Sequence, residues 1–358
     1  MTRKGGLRLC DSLLVVASSY AFVSAAHAAN GQPFQELQNQ VDQLQQQADQ
    51  LQGQIDQLTS TSPVEVSVTC GQDTIADALA TYAGNPAPLV ITINGNCDES
   101  VSIQRDDVTL QGASSGDGLT LSAAALPAID VAAGTSGTVV QNMTLDLVGG
   151  WGLTCVNTTV TVNGVVMNDA QIGIVGAVGG RCIVTNTEIN GPGGAGTRGA
   201  VIGDQAVLQL GASTIRDVDV GIYVHSHADV FIGTLGGGPS PLIEDTNIAA
   251  QVFNGSNLTL GSGATISNNG TGIEVFPSST LGVNLALSAV TPVVSDNTTG
   301  IILHQLSSLT SLLAGVVHVE FNDGFGIVCE SNVAISGPLP SLNDNNGGGA
   351  QHDGCPLP

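Results

Sequence analysis

Beyond residue 28 the chain has no lysine and only four basic residues, Arg105, Arg181, Arg198 and Arg216, against 29 acidic ones, a net charge of −25. Such a surface repels phosphate backbones and anionic membranes, so nucleic acid is excluded as a partner and divalent cations or neutral sugars fit better. Long apolar runs are also missing. The one candidate, Leu13 to Val23, spans 11 residues, whereas about 20 are needed to cross a bilayer. No integral membrane segment is expected. Aromatics are 3% of the sequence and show no repeat signature, which argues against a β-propeller. Charged residues are only 10%, while glycine, apolar and β-branched residues dominate, the composition of a packed β structure and not of an acidic disordered chain.

Residues 1–28 carry the three parts of a secretory signal. These are a basic start (Arg3, Lys4, Arg8), the short apolar stretch, and Ala26-His27-Ala28 as a small-residue cleavage site. The expected destination is secreted: extracellular, periplasmic or at the cell surface. Six cysteines lie downstream, Cys70, Cys97, Cys155, Cys182, Cys329 and Cys355, an even number in an exported chain. Neighbours are 27, 27 and 26 residues apart. The spacing predicts bridges Cys70–Cys97, Cys155–Cys182 and Cys329–Cys355, each stitching one repeat to the next. A metal site is the alternative, disfavoured because no CxxC pair occurs.

Residues 29–63 form a separate segment. From Phe34 to Leu58 apolar residues recur every three and four positions, with Phe34, Val41, Ala48 and Ile55 in one column and Leu37, Leu44, Leu51 and Leu58 in the other. This is a heptad seam. A lone helix of this kind with Gly53 inside would be marginal, so homo-oligomerisation through residues 34–58 is expected, as a parallel dimer or a trimer. A glutamine-rich linker is the alternative.

From residue 64 to 358 the pattern changes to short β runs separated by Gly, Asn and Asp. Gly152-Leu153, Gly173-Ile174, Gly199-Ala200, Gly221-Ile222, Gly272-Ile273, Gly300-Ile301 and Gly326-Ile327 each open a strand, with Ala249-Ala250 as a degenerate member. Clusters such as Asn168-Asp169, Asp245-Thr246-Asn247, Asn268-Asn269, Asp296-Asn297 and Asn322-Asp323 precede them and read as turns. The Asn-x-Ser/Thr sequences at Asn142, Asn157, Asn254, Asn257, Asn269 and Asn297 are read the same way. A unit this short cannot bury its apolar face alone, but stacked units can. The expected fold is all-β, a right-handed parallel β-helix, with an amphipathic helix over Asp73–Tyr82 covering its N-terminal edge.

Three runs then carry a resemblance: Cys70-Gly71-Gln72-Asp73-Thr74-Ile75, Ile93-Asn94-Gly95-Asn96-Cys97-Asp98-Glu99-Ser100-Val101, and Arg105-Asp106-Asp107-Val108-Thr109-Leu110-Gln111-Gly112. Together they resemble the opening of bacterial right-handed β-helix proteins of the pectin-lyase-like superfamily. The resemblance implies that fold and an affinity for polysaccharides, without fixing a reaction. Uronate lyases of the superfamily neutralise sugar carboxylates with Ca²⁺ or basic residues. With so few cations here, such chemistry would need Ca²⁺, for which the carboxylates leave room. The arginine-rich pectate-lyase signature and the Asp-Asp and Gly-His-Gly motifs of polygalacturonases are absent.

Aligning the repeats on Gly-Ile brings rare residues together. Two positions past the glycine lie Tyr223, Gln251 and Glu274; four past lie His225, Phe253, Phe276, His304 and Glu330. Alternate strand residues point outward, so these form one outer face, with successive coils about 4.8 Å apart. Tyr223, Gln251, Phe253, Phe276 and His304 are candidate glycan-binding residues, unless they are a ladder that only stabilises the stack. Glu274 is the candidate acid or base, with His225, Asp229 or His304 nearby. His225 and His227 could also share a strand face and hold a metal, though no third ligand is indicated. The preferred reading is a non-catalytic protein binding carbohydrate or cell-surface glycan. The alternative is a glycoside hydrolase or Ca²⁺-dependent lyase.

Overall fold

The computed structural model describes residues 31–59, 62–121, 127–234, 238–284, 290–312, 317–337, 340–345 and 352–356. The expected export signal, residues 1–28, lies outside the described residues. Two units separate, residues 1–61 and 62–358.

In the first unit, Gly31–Thr59 is one continuous 29-residue helix. Side-chain amides of Gln38 and Gln45 donate to Asp42 and Asp49 one turn on, a modest local support. The segment is thus helical along its described length. Leu37, Leu44 and Leu51 are 60%, 65% and 59% exposed, so the seam faces solvent in the single chain.

In the second unit, alternation in sequence becomes alternation in space. Leu89–Asn94 buries Leu89, Ile91 and Ile93 and turns Val90, Thr92 and Asn94 outward. A lone strand leaves its backbone groups unpaired, and the next coil satisfies them. Val108–Gly112 lies parallel on it with Ile91 opposite Leu110, and every strand pairing that follows is parallel. The result is a right-handed parallel β-helix of about 11 turns. Twenty-one strands form a first and a second face, joined where Thr138–Asp146 and Thr159–Asn168 run through both. Eleven strands, from Val101–Ile103 to His352–Asp353, form the third face.

The core is columnar. Ile91, Leu110, Val140, Val162, Val184, Leu210, Ile232, Leu260 and Val283 sit one above another in nine coils, all essentially buried. Each such side chain contributes about 1.5–3 kcal/mol of burial. The repeated glycine has a specific cause on the third face. A Cβ on Gly173 would lie 2.6 Å from the carbonyl oxygen of Gly199, and Gly152, Gly199, Gly272 and Gly300 each meet the equivalent oxygen of the following coil. The strand closes on its neighbour there, and no side chain fits between them.

The N-terminal edge is covered as the sequence predicts. Ile75–Thr81 is a short helix capped by Thr74, whose hydroxyl accepts the Asp77 N–H, and it buries Ile75, Ala78 and Leu79. The Glu99 carboxylate accepts the N–H groups of Ile75 and Ala76, and Arg105 donates to the carbonyls of Tyr82 and Ala87. The three disulfides join Cys70–Cys97, Cys155–Cys182 and Cys329–Cys355, with Cα separations of 4.8, 5.9 and 4.8 Å.

One expectation needs correction. In the clusters that begin at Asp245, Asn268 and Asp296 the first residue is a turn former with positive φ and the second points inward, whereas in Asn322-Asp323 the first points inward and Phe321 before it takes the positive φ. Thr246, Asn269, Asn297, Asn322 and Asn345 are buried and stacked. Asn297 Oδ1 accepts the backbone and side-chain N–H of Asn269, each at 3.0 Å, and its own amide donates to Ile266 O and Asn322 Oδ1. Polar groups in the interior are tolerable only when paired, and stacking equal amides on a fixed rise pairs them all. Asn269 and Asn297 are therefore ladder residues and not simple turn formers.

Asn297→Ala would orphan the Asn269 backbone N–H and take one donor from each of Ile266 O and Asn322 Oδ1, at about 1–3 kcal/mol for a buried group left unpaired. The expected loss in urea unfolding is roughly 3 kcal/mol, against about 1 kcal/mol or less for Asn254→Ala in an exposed turn. Equal losses would show that the ladder carries no special stability.

Candidate functional site

On the third face the repeating glycine and the residue after it are buried, so the positions one before, two after and four after the glycine point outward. Register places Tyr223, Gln251, Glu274 and Ile302 in one column. His225, Phe253, Phe276, His304 and Glu330 form the next, just past each strand. Their N–H groups still bond the preceding coil, as Phe276 does to Val252 O and His304 to Val275 O.

The rings lie on one another. Phe253 and Phe276 are stacked with centroids 3.9 Å apart, and Phe276 and His304 at 4.4 Å. Tyr223 tilts against Phe253 at 5.1 Å and against His225 at 5.4 Å. This geometry narrows the expectation. The coil rise brings ring faces into contact, so the faces of Phe253 and Phe276 are occupied by neighbours, and it is ring edges that border solvent. The aromatic pairs thus stabilise the stack.

The row ends in a closed polar chain. Gln251 Nε2 donates to Glu274 Oε2 at 2.7 Å. Glu274 Oε1 lies 2.9 Å from His304 Nε2, and Glu330 Oε1 lies 3.0 Å from His304 Nδ1. Glu330 Oε2 also accepts the Gln305 N–H. Burial alone would lower the His304 pKa, but the hydrogen bonds its ring donates to the Glu274 and Glu330 carboxylates, and their charge, outweigh it and hold the imidazole above its ordinary value. The Gln305 N–H and His304 hold Glu330 below the usual carboxylate range.

Other predicted residues are dispersed. Asp229 begins a strand of the first face, where its carboxylate accepts from Asn257 at 2.8 Å, away from Glu274. His225 shares the third face but stands two coils before Glu274, with the Ser226 hydroxyl 2.9 Å from its Nδ1. His225 and His227 do not share a strand face. The strand stops at Val224, and Ser226 and His227 take φ of 56° and 64°, which breaks the alternation. His227 instead packs on Gly255 and lines a shallow depression with Val178, Asp204, Gln205 and Ser226. Among the described residues no three His, Cys, Asp or Glu side chains converge as metal ligands.

Sequence reasoning missed two neighbours on this face, Arg198, whose guanidinium sits 4.4 Å from the Tyr223 ring centroid, and Trp151, 40% exposed. Both occupy the position before the repeating glycine, in register through Ile172. The glycine frame could have found them had that third outward position been followed.

The His304 network has a pH window. A raised histidine contributes stability below about pH 6.5 that is lost as pH rises through its folded value, and a depressed carboxylate contributes above about pH 4.3 what is lost as pH falls. The melting-temperature gap between the protein and His304→Gln should be widest between these limits and narrow toward pH 8. A pH-independent gap would mean that ring packing alone carries the effect.

No protein-family model and no curated protein matches the chain. Among solved structures it is similar to the catalytic domain of a GH87 α-1,3-glucanase in complex with tetrasaccharides, at 12% identity and a TM-score of 0.41, covering 80% of this chain and 58% of that one. A second structure of such a domain, with nigerose, gives 12% and 0.38, covering 80% and 66%. The Dettilon tailspike protein gives 11% and 0.31, covering 75% and 66%. The chain thus spans less than two thirds of the glucanase domains it resembles. Its own strand register makes it a right-handed parallel β-helix protein.

Proposed function

We propose that this is a secreted or cell-surface β-helix protein that binds carbohydrate without cleaving it. It does so along the third face from Tyr223 to Glu330 and self-associates through the heptads of its N-terminal helix. The observation that carries the non-catalytic reading is that Glu274 spends both carboxylate oxygens on neighbours, Oε1 on His304 and Oε2 on Gln251. A general acid or base needs an oxygen within reach of the substrate, and the imidazole fills the space between Glu274 and Glu330 where a glycosidic bond would have to lie.

Binding is supported by what the row leaves open. Amide, carboxylate and ring edges reach the surface, with the Glu330 side chain 51% exposed and those of Glu274 and His304 16% and 21%, and they follow one another about every 4.8 Å, close to the advance of an extended pyranose chain. A glycan lying along the solenoid axis would meet the same kind of contact at each sugar. The uncharged and cation-paired glycans remain the fitting class for a chain of net charge −25 beyond residue 28. Three disulfides suit an oxidising compartment. In the described helix the exposed leucines of the seam call for an equal partner.

A glycan panel assayed for binding and for new reducing or unsaturated ends tests this reading. Binding without product is expected, weakened about tenfold in Gln251→Ala, the worth of one hydrogen bond. Product formation abolished by Glu274→Gln would establish the hydrolase or lyase in its place.

A further inference from the structure

The three faces are not dressed alike. On the first, Gln141 donates to Gln111 and Gln111 to Thr92, while Thr185 donates to Asn163. On the second, Asn168 donates to Asp146, Asn190 to Asn168 and Arg216 to Asn190. Both present polar ladders to water, with single apolar residues such as Val139 and Ile183 set between polar ones. The third face, upstream of Tyr223, presents Pro127, Trp151, Val156, Ile172, Val175 and Val201 instead, with Pro127, Trp151 and Ile172 in one column and Val175 and Val201 in another. Its charged groups are few. Asp130 accepts the Thr154 hydroxyl and Arg198 lies over Tyr223.

Flat apolar sheet area of this kind marks an interaction surface. Four strands at about 4.8 Å spacing and about five residues of about 3.3 Å give roughly 300 Å² per copy. Two copies would bury roughly 600 Å², about half of what a stable specific interface needs. The patch is therefore too small to hold a partner by itself but large enough to close once copies are already tethered. The helix Gly31–Thr59, with its exposed leucines, supplies such a tether in this same chain, and tethering raises the effective concentration to the millimolar range. Charge points the same way. Two chains of net charge −25 repel over most of their surfaces, and this patch is where they can meet without opposing free carboxylates.

We propose that the Trp151–Val175–Val201 patch is a secondary self-association surface, covered by the solenoid of a second copy when the N-terminal helices assemble. The inference rests on the self-association reading given above. Trp151 is the chain's only tryptophan, so its fluorescence reports the patch without a label. The experiment compares the full chain after residue 28 with the same chain carrying Leu44→Asp and Leu51→Asp, measuring mass by sedimentation and acrylamide quenching of Trp151. The expected result is an oligomer whose Trp151 quenches about twofold less than in the monomeric double variant. Val175→Glu should raise quenching to the monomer level while the mass stays oligomeric and the melting temperature is unchanged. An oligomer with equal quenching in all three proteins would overturn the patch and leave the helix reading standing. A monomeric parent chain would overturn both.

Discussion

Parallel pairing of one coil on the next, at a spacing set by backbone hydrogen bonds, is the constraint from which the other features follow. It forces side chains of equal position into columns, so whatever chemistry a column carries is repeated at a fixed rise. Apolar columns become a continuous core. Amide columns become a buried ladder in which Asn269, Asn297 and Asn322 satisfy one another. Glycine stands at Gly173 and Gly199, where a Cβ would meet the carbonyl of the next coil, while Ala249 holds the same column position one coil beyond Gly221.

The same constraint decides what the outer row can be. Rings spaced by a coil stack on each other, which commits the faces of Phe253 and Phe276 to stability. Carboxylates spaced by two coils can be bridged by the histidine between them, as Glu274 and Glu330 are by His304. A solenoid thus tends to satisfy its own surface groups from one coil to the next.

Much of this was legible in the sequence, and the physical reason is periodicity. The Gly-Ile frame and the coil-length cysteine spacings repeat or pair at the interval of one coil, so the alignment of Tyr223, Gln251 and Glu274 followed by counting. What counting could not supply was side-chain direction in the turns. Asn268 and Asn269 look alike in sequence, yet one takes positive φ at the surface and the other is buried. His227 looked like a strand mate of His225 until the turn reversed it, and whether rings one coil apart meet face to face depends on rotamers, which no spacing encodes.

The crosslinks divide the solenoid unequally. Two bind the first part, one binds the last, and residues 183 to 328, which include the row from Tyr223 to His304, contain no covalent tie between coils. In a linear array each coil is held only by its neighbours. Pulled by its ends, the molecule would lengthen first in that middle stretch, which makes it a mechanical fuse between two fastened ends.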